Sequence, residues 1–163
     1  MGFFPGSALP YRRCQRFMLV WRAMECPFCA IARGQLAASV VLRDEHVTAF
    51  LDTRPVFKGH VLVVPREHVA DLLELPRPMM EPLLSAVQRV AGAMETGLSA
   101  DGSFVAVNTK ISQSVPHLHF HVIPRRKGDG LRGFFWPRQR YASDDEAAVY
   151  ARRIAAALAV TAG

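Results

Sequence analysis

Residues 117–123 read HLHFHVI, and three of the six histidines in the chain occupy alternate positions of that run. Strict alternation is the pattern of a β-strand, whose side chains point to opposite faces in turn. His117, His119 and His121 then share one face, and Leu118, Phe120 and Val122 share the other, against a hydrophobic core. Pro116 and Pro124 bracket the run and suit strand ends. At about 3.3 Å of rise per residue, the three imidazoles form a column spaced by about 6–7 Å.

The flanking sequence supplies the remaining elements. Residues 26–29, Cys-Pro-Phe-Cys, open a short helix that runs to Arg33 and is ended by Gly34. Strands over 39–43 and 47–51 surround an Asp44-Glu45-His46 turn, in which His46 reads as simply exposed. A third strand covers 60–64 and stops at Pro65. A helix over 79–94 places Met80, Leu83, Leu84, Val87, Val90 and Ala91 on one stripe. Pro76, Pro78 and Pro82 fit only in its first turn or before it, and Gly97 marks its end. Residues 104–108 form a fourth strand and the histidine run a fifth. After Gly128, Gly130 and Gly133, Ser143 caps a last helix to about residue 159, with Asp144, Asp145 and Glu146 in its first turn. Strands joined by short turns predict an α+β fold with a five-stranded antiparallel sheet, two main helices and a C-terminal helix.

A length of 163 residues predicts one domain, and a half-hydrophobic composition allows a sizeable core. We place the domain at 24–163, with a core over 24–126 and a C-terminal loop and helix over 127–163. Residues 1–23 read as a tail outside the fold, with Met24 as the natural start, because folded patterning begins right after it. No apolar run approaches the about 18 residues of a membrane span. Three cysteines are too few for a disulfide framework, and an odd number argues for a reducing, cytoplasmic setting. The net charge is +6, but residues 1–23 hold four arginines and no acid. Without them 16 basic side chains face 14 acidic ones, so neither a nucleic-acid nor a membrane partner is expected. Arg125, Arg126, Lys127, Arg132, Arg138 and Arg140 follow the histidine run against one acid, Asp129. They read as a solvated loop or as an attraction for an anionic ligand.

Three imidazoles in register exceed what structural burial requires, since each buried ring needs its own partners. One chemistry for them is metal ligation from a single strand. Another is nucleophilic catalysis. An imidazole with one nitrogen tied to a backbone carbonyl presents a basic second nitrogen that can attack phosphorus, and the phosphoramidate so formed is then hydrolysed. The flanking rings can hold phosphate oxygens or protonate the leaving group, and Gln113, Ser114 and Val115 can stabilise charge on the phosphate.

HLHFHVI resembles the His-φ-His-φ-His-φ-φ motif (φ apolar) of the histidine-triad, or HIT, superfamily. CPFCAIARG, DEHVTAFLD, KGHVLVVPREH and NTKISQSVPHLHFHVIPRR extend the resemblance over most of residues 24–126. It implies hydrolysis or transfer at the α-phosphate of a nucleotide, with a purine favoured, in a homodimer whose sheets join and without a catalytic metal. The candidate substrates are nucleoside phosphoramidates, adenylates and dinucleoside polyphosphates. By position, His119 matches the nucleophile, His121 the phosphate-contacting histidine and His117 the first of the triad. Asn108, Gln113 and Ser114 match residues around the phosphates, Asp52 the ribose ligand, and Phe50 would lie near the base. The sequence departs from the family pattern at Ser112, where glycine is usual, and in a shorter 108–113 loop. A histidine rather than glutamine at 121 favours hydrolysis over transfer between sugars. A nucleotide-binding interaction protein with negligible turnover is the alternative from another class.

Cys26-Pro-Phe-Cys29 with a later Ser-Val-Pro also resembles glutaredoxins, with Cys26 as the attacking thiolate and a cis bond before Pro116. That reading leaves the histidines unexplained. Two thiolates and two imidazoles instead complete a closed zinc site. By resemblance to zinc-bearing relatives, His68 and His117 are the partners, with His60 as the substitute; two free buried cysteines are the alternative. Phe134-Phe135-Trp136-Pro137 reads as packing or dimer surface, or as a lid that stacks on a base.

Overall fold

The computed structural model describes residues 26–131 and 139–161. The expected tail at 1–23, the start at Met24, Cys14 and the aromatic stretch 134–137 lie outside the described residues. The chain divides into two compact units, one ending at Lys127 and one beginning at Gly128.

In the first unit, Asp44 sets the first hairpin. Its Oδ1 accepts from the His46 and Val47 amides at 3.0 and 2.9 Å, a side chain standing in for a backbone turn. The turn joins β1 (Val40–Arg43) to β2 (Val47–Leu51), and β3 (Val61–Pro65), β4 (Gly102–Val107) and β5 (Phe120–Arg125) complete the sheet. The strand order is β1-β2-β3-β5-β4, antiparallel throughout. The expected α+β architecture and strand count hold. Between β2 and β3, Gly59 adopts φ +95°, and a Cβ there would lie 2.6 Å from Leu98 Cδ1. Only glycine meets both conditions, and it delivers the chain into His60.

Period-two alternation divides the sheet into two faces. Val47, Ala49, Val61, Val63, Leu118 and Val122 pack with Leu83, Ala86, Val87, Val90 and Met94 of α2 (Arg77–Leu98). Fully burying a side chain such as Leu83 or Leu118 stabilises the fold by about 1.5–3 kcal/mol. A second cluster joins Phe50, Leu62 and Val64 to Ile31 and Phe28 of the short helix α1 (Pro27–Ala32).

Several boundaries differ from the sequence expectations. Helix α2 begins earlier because Pro78, near its start, is pre-set for helical φ. Pro82 therefore falls inside the helix, in its second turn, and not in the first turn as expected. The buried stripe also shifts. Met80 and Leu84 are 49% and 62% exposed, while Ala86 and Met94 are buried. A count of large apolar side chains undervalues an alanine that lets the helix approach the sheet closely. The helix ends beyond Gly97, at Ser99 in the left-handed region (φ 53°). Arg126 donates to the orphan carbonyls of Leu98 and Ser99, which supplies the C-terminal cap.

The histidine run is only partly strand. β5 starts at Phe120, paired with Val63 and Val107. His117 and His119 lie in a lead-in without ladder pairing, where the Leu118 amide donates to the Val69 carbonyl at 2.7 Å. The inward side of the alternation holds as expected, since Leu118, Phe120 and Val122 all meet the core.

In the second unit, Gly128 and Gly130 have positive φ, and α3 spans Asp144–Thr161. Ser143 Oγ accepts from the Glu146 amide at 3.2 Å, the expected N-cap. Among the described residues, no helix is long and apolar enough to cross a membrane.

Candidate functional site

Two histidine-containing clusters flank the lead-in to β5. In the first, Cys26, Cys29, His68 and His117 bring one ligand atom each within 4.8 Å of one another. His117 Nδ1 lies 3.4 Å from both sulfurs, and His68 Nδ1 lies 3.4 Å from Cys29 Sγ. A tetrahedral ion about 2.3 Å from sulfur and about 2.0–2.1 Å from nitrogen would hold the two about 3.5 Å apart, so the donor set fits zinc. The tautomer fits as well. His117 Nε2 donates to the Pro65 carbonyl at 2.9 Å, which leaves Nδ1 as the lone-pair nitrogen facing the thiols. Burial pushes the Cys29 thiol up to about 12, reinforced by Cys26 beside it, and pushes His117 down to about 4. An ion here would therefore displace a proton that the Cys29 thiol otherwise keeps.

His60 does not belong to this cluster, which corrects its place as a substitute ligand. It sits with Asp52 and His121 instead. Its Nδ1 accepts from the Val56 amide at 3.3 Å, so Nε2 carries the proton and donates to His121 Nδ1 at 3.0 Å. The Asp52 carboxylate is 3.5 Å from that same Nδ1, a contact that favours a cation. Burial outweighs it and holds His60 below its ordinary value. His121 is pushed down to about 4, first by burial, then by His119 and His60. Both rings are therefore neutral near pH 7.

His119 is buried, with its ring 4.9 Å from that of His121. Its Nδ1 donates to the His117 carbonyl at 2.7 Å, a bond made within the same lead-in. The remaining lone pair is on Nε2. His117 has turned to the thiols, so the three rings are not one evenly spaced column: one ring serves the cysteine cluster and two serve a cleft.

That cleft has a volume of about 1110 Å³. His119, His121 and Ser114 line it together with Asp52, Phe50, Leu62, Phe28 and Ile31. Phe28, Ile31, Phe50 and Leu62 give it an apolar wall, and Asp52, Ser114 and the histidines supply polar groups, which suits a flat ring system with a polar end. Asn108 and Gln113 do not line it. The Gln113 side chain is used elsewhere: Nε2 donates to the Ala70 carbonyl at 2.5 Å and Oε1 accepts from the Lys110 amide at 3.1 Å. Sequence reasoning missed Phe28, whose ring meets His119 and Phe50 edge to face at 5.2 and 5.4 Å. Its position between the two cysteines was the available signal. The thiols face imidazoles in a wholly antiparallel sheet, and no peptide bond among the described residues is cis, so the glutaredoxin reading is not supported.

The chain is 42% identical over 107 residues to a HIT-like protein of Methanocaldococcus jannaschii, an alignment covering 64% of this chain and 82% of that protein. It is 34% identical over 115 residues to the adenosine 5'-monophosphoramidase hnt1 of Schizosaccharomyces pombe, covering 70% and 84% of the two. A crystal structure of a zinc-bound histidine triad family protein from Mycobacterium smegmatis superposes with a TM-score of 0.64 at 36% identity, over 82% of this chain and 99% of that one. The HIT domain family model matches residues 33–128, and the chain belongs to that family.

Proposed function

We propose that the protein is a nucleotide phosphohydrolase that cleaves at the α-phosphate of nucleoside phosphoramidates, adenylates or dinucleoside polyphosphates. The observation that carries this reading is the 2.7 Å bond from His119 Nδ1 to the His117 carbonyl, made at the wall of the cleft. It leaves Nε2 as a nucleophile. Nε2 attacks the α-phosphorus, a P–N bond to His119 forms, and the bond from phosphorus to the leaving group breaks. His121, whose proton sits on Nε2 when Nδ1 accepts from His60, would donate a hydrogen bond to a phosphate oxygen, and the departing group takes its proton from water. Water then attacks the phosphoramidate, releases the nucleoside monophosphate and restores His119. Phe50 and Phe28 would hold the base, Asp52 the ribose and Ser114 the phosphate. Asn108 and Gln113 would act on the phosphate through the loop they belong to. The phosphoramidase named in two yeasts supports a P–N bond as the one broken.

Cys26, Cys29, His68 and His117 would hold zinc, which supplies a cross-link between α1 and the lead-in to β5 and takes no part in the chemistry. The working form would be a homodimer in the cytoplasm. The test is His119→Ala assayed on adenosine 5'-phosphoramidate. Turnover is expected to disappear while AMP still binds by calorimetry. Near-normal turnover in the variant would overturn the assignment, and AMP binding without turnover in the wild type would favour an interaction protein.

A further inference from the structure

Phe28 belongs to the cysteine turn and to the cleft at once. It is the third residue of Cys26-Pro-Phe-Cys29, so the thiols on either side set its backbone position. Its ring closes the wall of the cleft and meets His117, His119 and Phe50 edge to face at 5.9, 5.2 and 5.4 Å. Helix α1, which carries it, has only six residues and no side-chain N-cap. Such a helix is unstable without outside anchors, because nucleation fixes several dihedrals for one hydrogen bond. Its anchors are Arg43, which donates to the Ile31 carbonyl at 3.0 Å, the small apolar cluster with Phe50, and the convergence of Cys26 and Cys29 on His68 and His117.

We propose that metal occupancy of the Cys26, Cys29, His68 and His117 cluster is thermodynamically coupled to nucleotide occupancy of the cleft, with Phe28 as the positioning residue that carries the coupling. The inference rests on the metal and nucleotide readings above and adds that the two sites are not independent. With an ion bound, Cys26 and Cys29 are drawn to a common centre and the Phe28 ring is held against His119 and Phe50. Without it, the four ligand atoms lose that centre and the wall loosens. Coupling between sites is reciprocal, so a nucleotide that requires the ordered wall must tighten the metal by the same factor that the metal tightens the nucleotide.

The test uses the full chain loaded with Co²⁺ or Zn²⁺, with AMP as the probe. Calorimetry on loaded and chelator-stripped protein is expected to show AMP binding at least about tenfold weaker in the stripped form, within the usual range of such couplings. In the Co²⁺ protein, AMP is expected to shift the visible ligand-field bands, a signal that a merely structural metal would not give. In Phe28→Ala, and in Phe28→Leu should the alanine variant not fold, Co²⁺ should still bind, the bands should stay put at AMP concentrations that calorimetry shows to saturate the variant, and the loaded-to-stripped ratio should fall to about twofold or less. If the stripped chain unfolds, the band shift in the loaded protein decides alone. Bands that do not respond to AMP in the wild type overturn the coupling. A shift that survives in both Phe28 variants assigns the path to the His117 carbonyl and overturns the role of Phe28. The absence of a Co²⁺–thiolate absorption removes the metal reading, the absence of AMP binding to loaded protein removes the nucleotide reading, and either takes the coupling with it.

Discussion

Gln113 shows how a residue expected at the ligand can serve the loop that holds it. Its amide spans the Ala70 carbonyl and the Lys110 amide, which pins a loop containing two non-glycine residues of positive φ, Lys110 at 67° and Ser112 at 59°. Each such residue costs about 1–2 kcal/mol. The surrounding bonds must offset that cost, and Gln113 makes two of them. Gln113→Ala is therefore expected to lower kcat/KM on adenosine 5'-phosphoramidate by about tenfold, through misplacement of Ser114 and not through a lost phosphate contact. Amide exchange over 108–114 separates the two. Faster exchange with the activity loss fits a brace, whereas unchanged exchange with the same loss would mean that Gln113 touches the substrate.

At the scale of elements, helix α2 ends on a residue poorly suited to its conformation. Ser99 occupies the left-handed position where glycine is favoured. Ser99→Gly should stabilise the protein by about 0.5–1 kcal/mol, seen as a rise in the midpoint of denaturant unfolding at unchanged m-value. A lower midpoint would show that the serine side chain contributes more than its strain removes. Neither Ser99 nor the Arg126 cap was legible in the sequence. Gly97 offered a nearer stop signal, and the cap joins residues 27 and 28 positions apart. The strands were legible for the opposite reason. Alternation is a local property, and it separated Leu118, Phe120 and Val122 from the histidines correctly. Where the ladder begins is not local: β5 starts at Phe120 because Val63 and Val107 are there to pair with it. The meeting of Cys26 and Cys29 with His68 came from family resemblance, while the pairing of His60 with His121 had no signal in spacing.

For the whole molecule, the buried histidines of the two clusters make stability depend on pH in one direction. His117 and His121 are each pushed from 6.5 to about 4 by burial and by neighbouring histidines, and His60 is lowered as well. A histidine with a folded-state pKa below its unfolded value binds fewer protons when folded. Stability therefore rises with pH across that interval: it is fully present above about 6.5 and is lost as pH falls toward about 4. In metal-loaded protein His117 answers first to the ion, so His121 is the cleaner reporter. Its ring is partly solvated at the cleft, so its share is about 1–2 kcal/mol after screening. Denaturant unfolding of the metal-loaded chain at pH 7.5 and pH 5 should show a clear loss of stability at the lower value. His121→Gln keeps a polar side chain that does not titrate, so its loss over the same interval should be smaller by about that amount. An equal loss in the variant would place the acid sensitivity at His60 or in the cysteine cluster, where protons compete with the ion for His68, His117 and the thiolates.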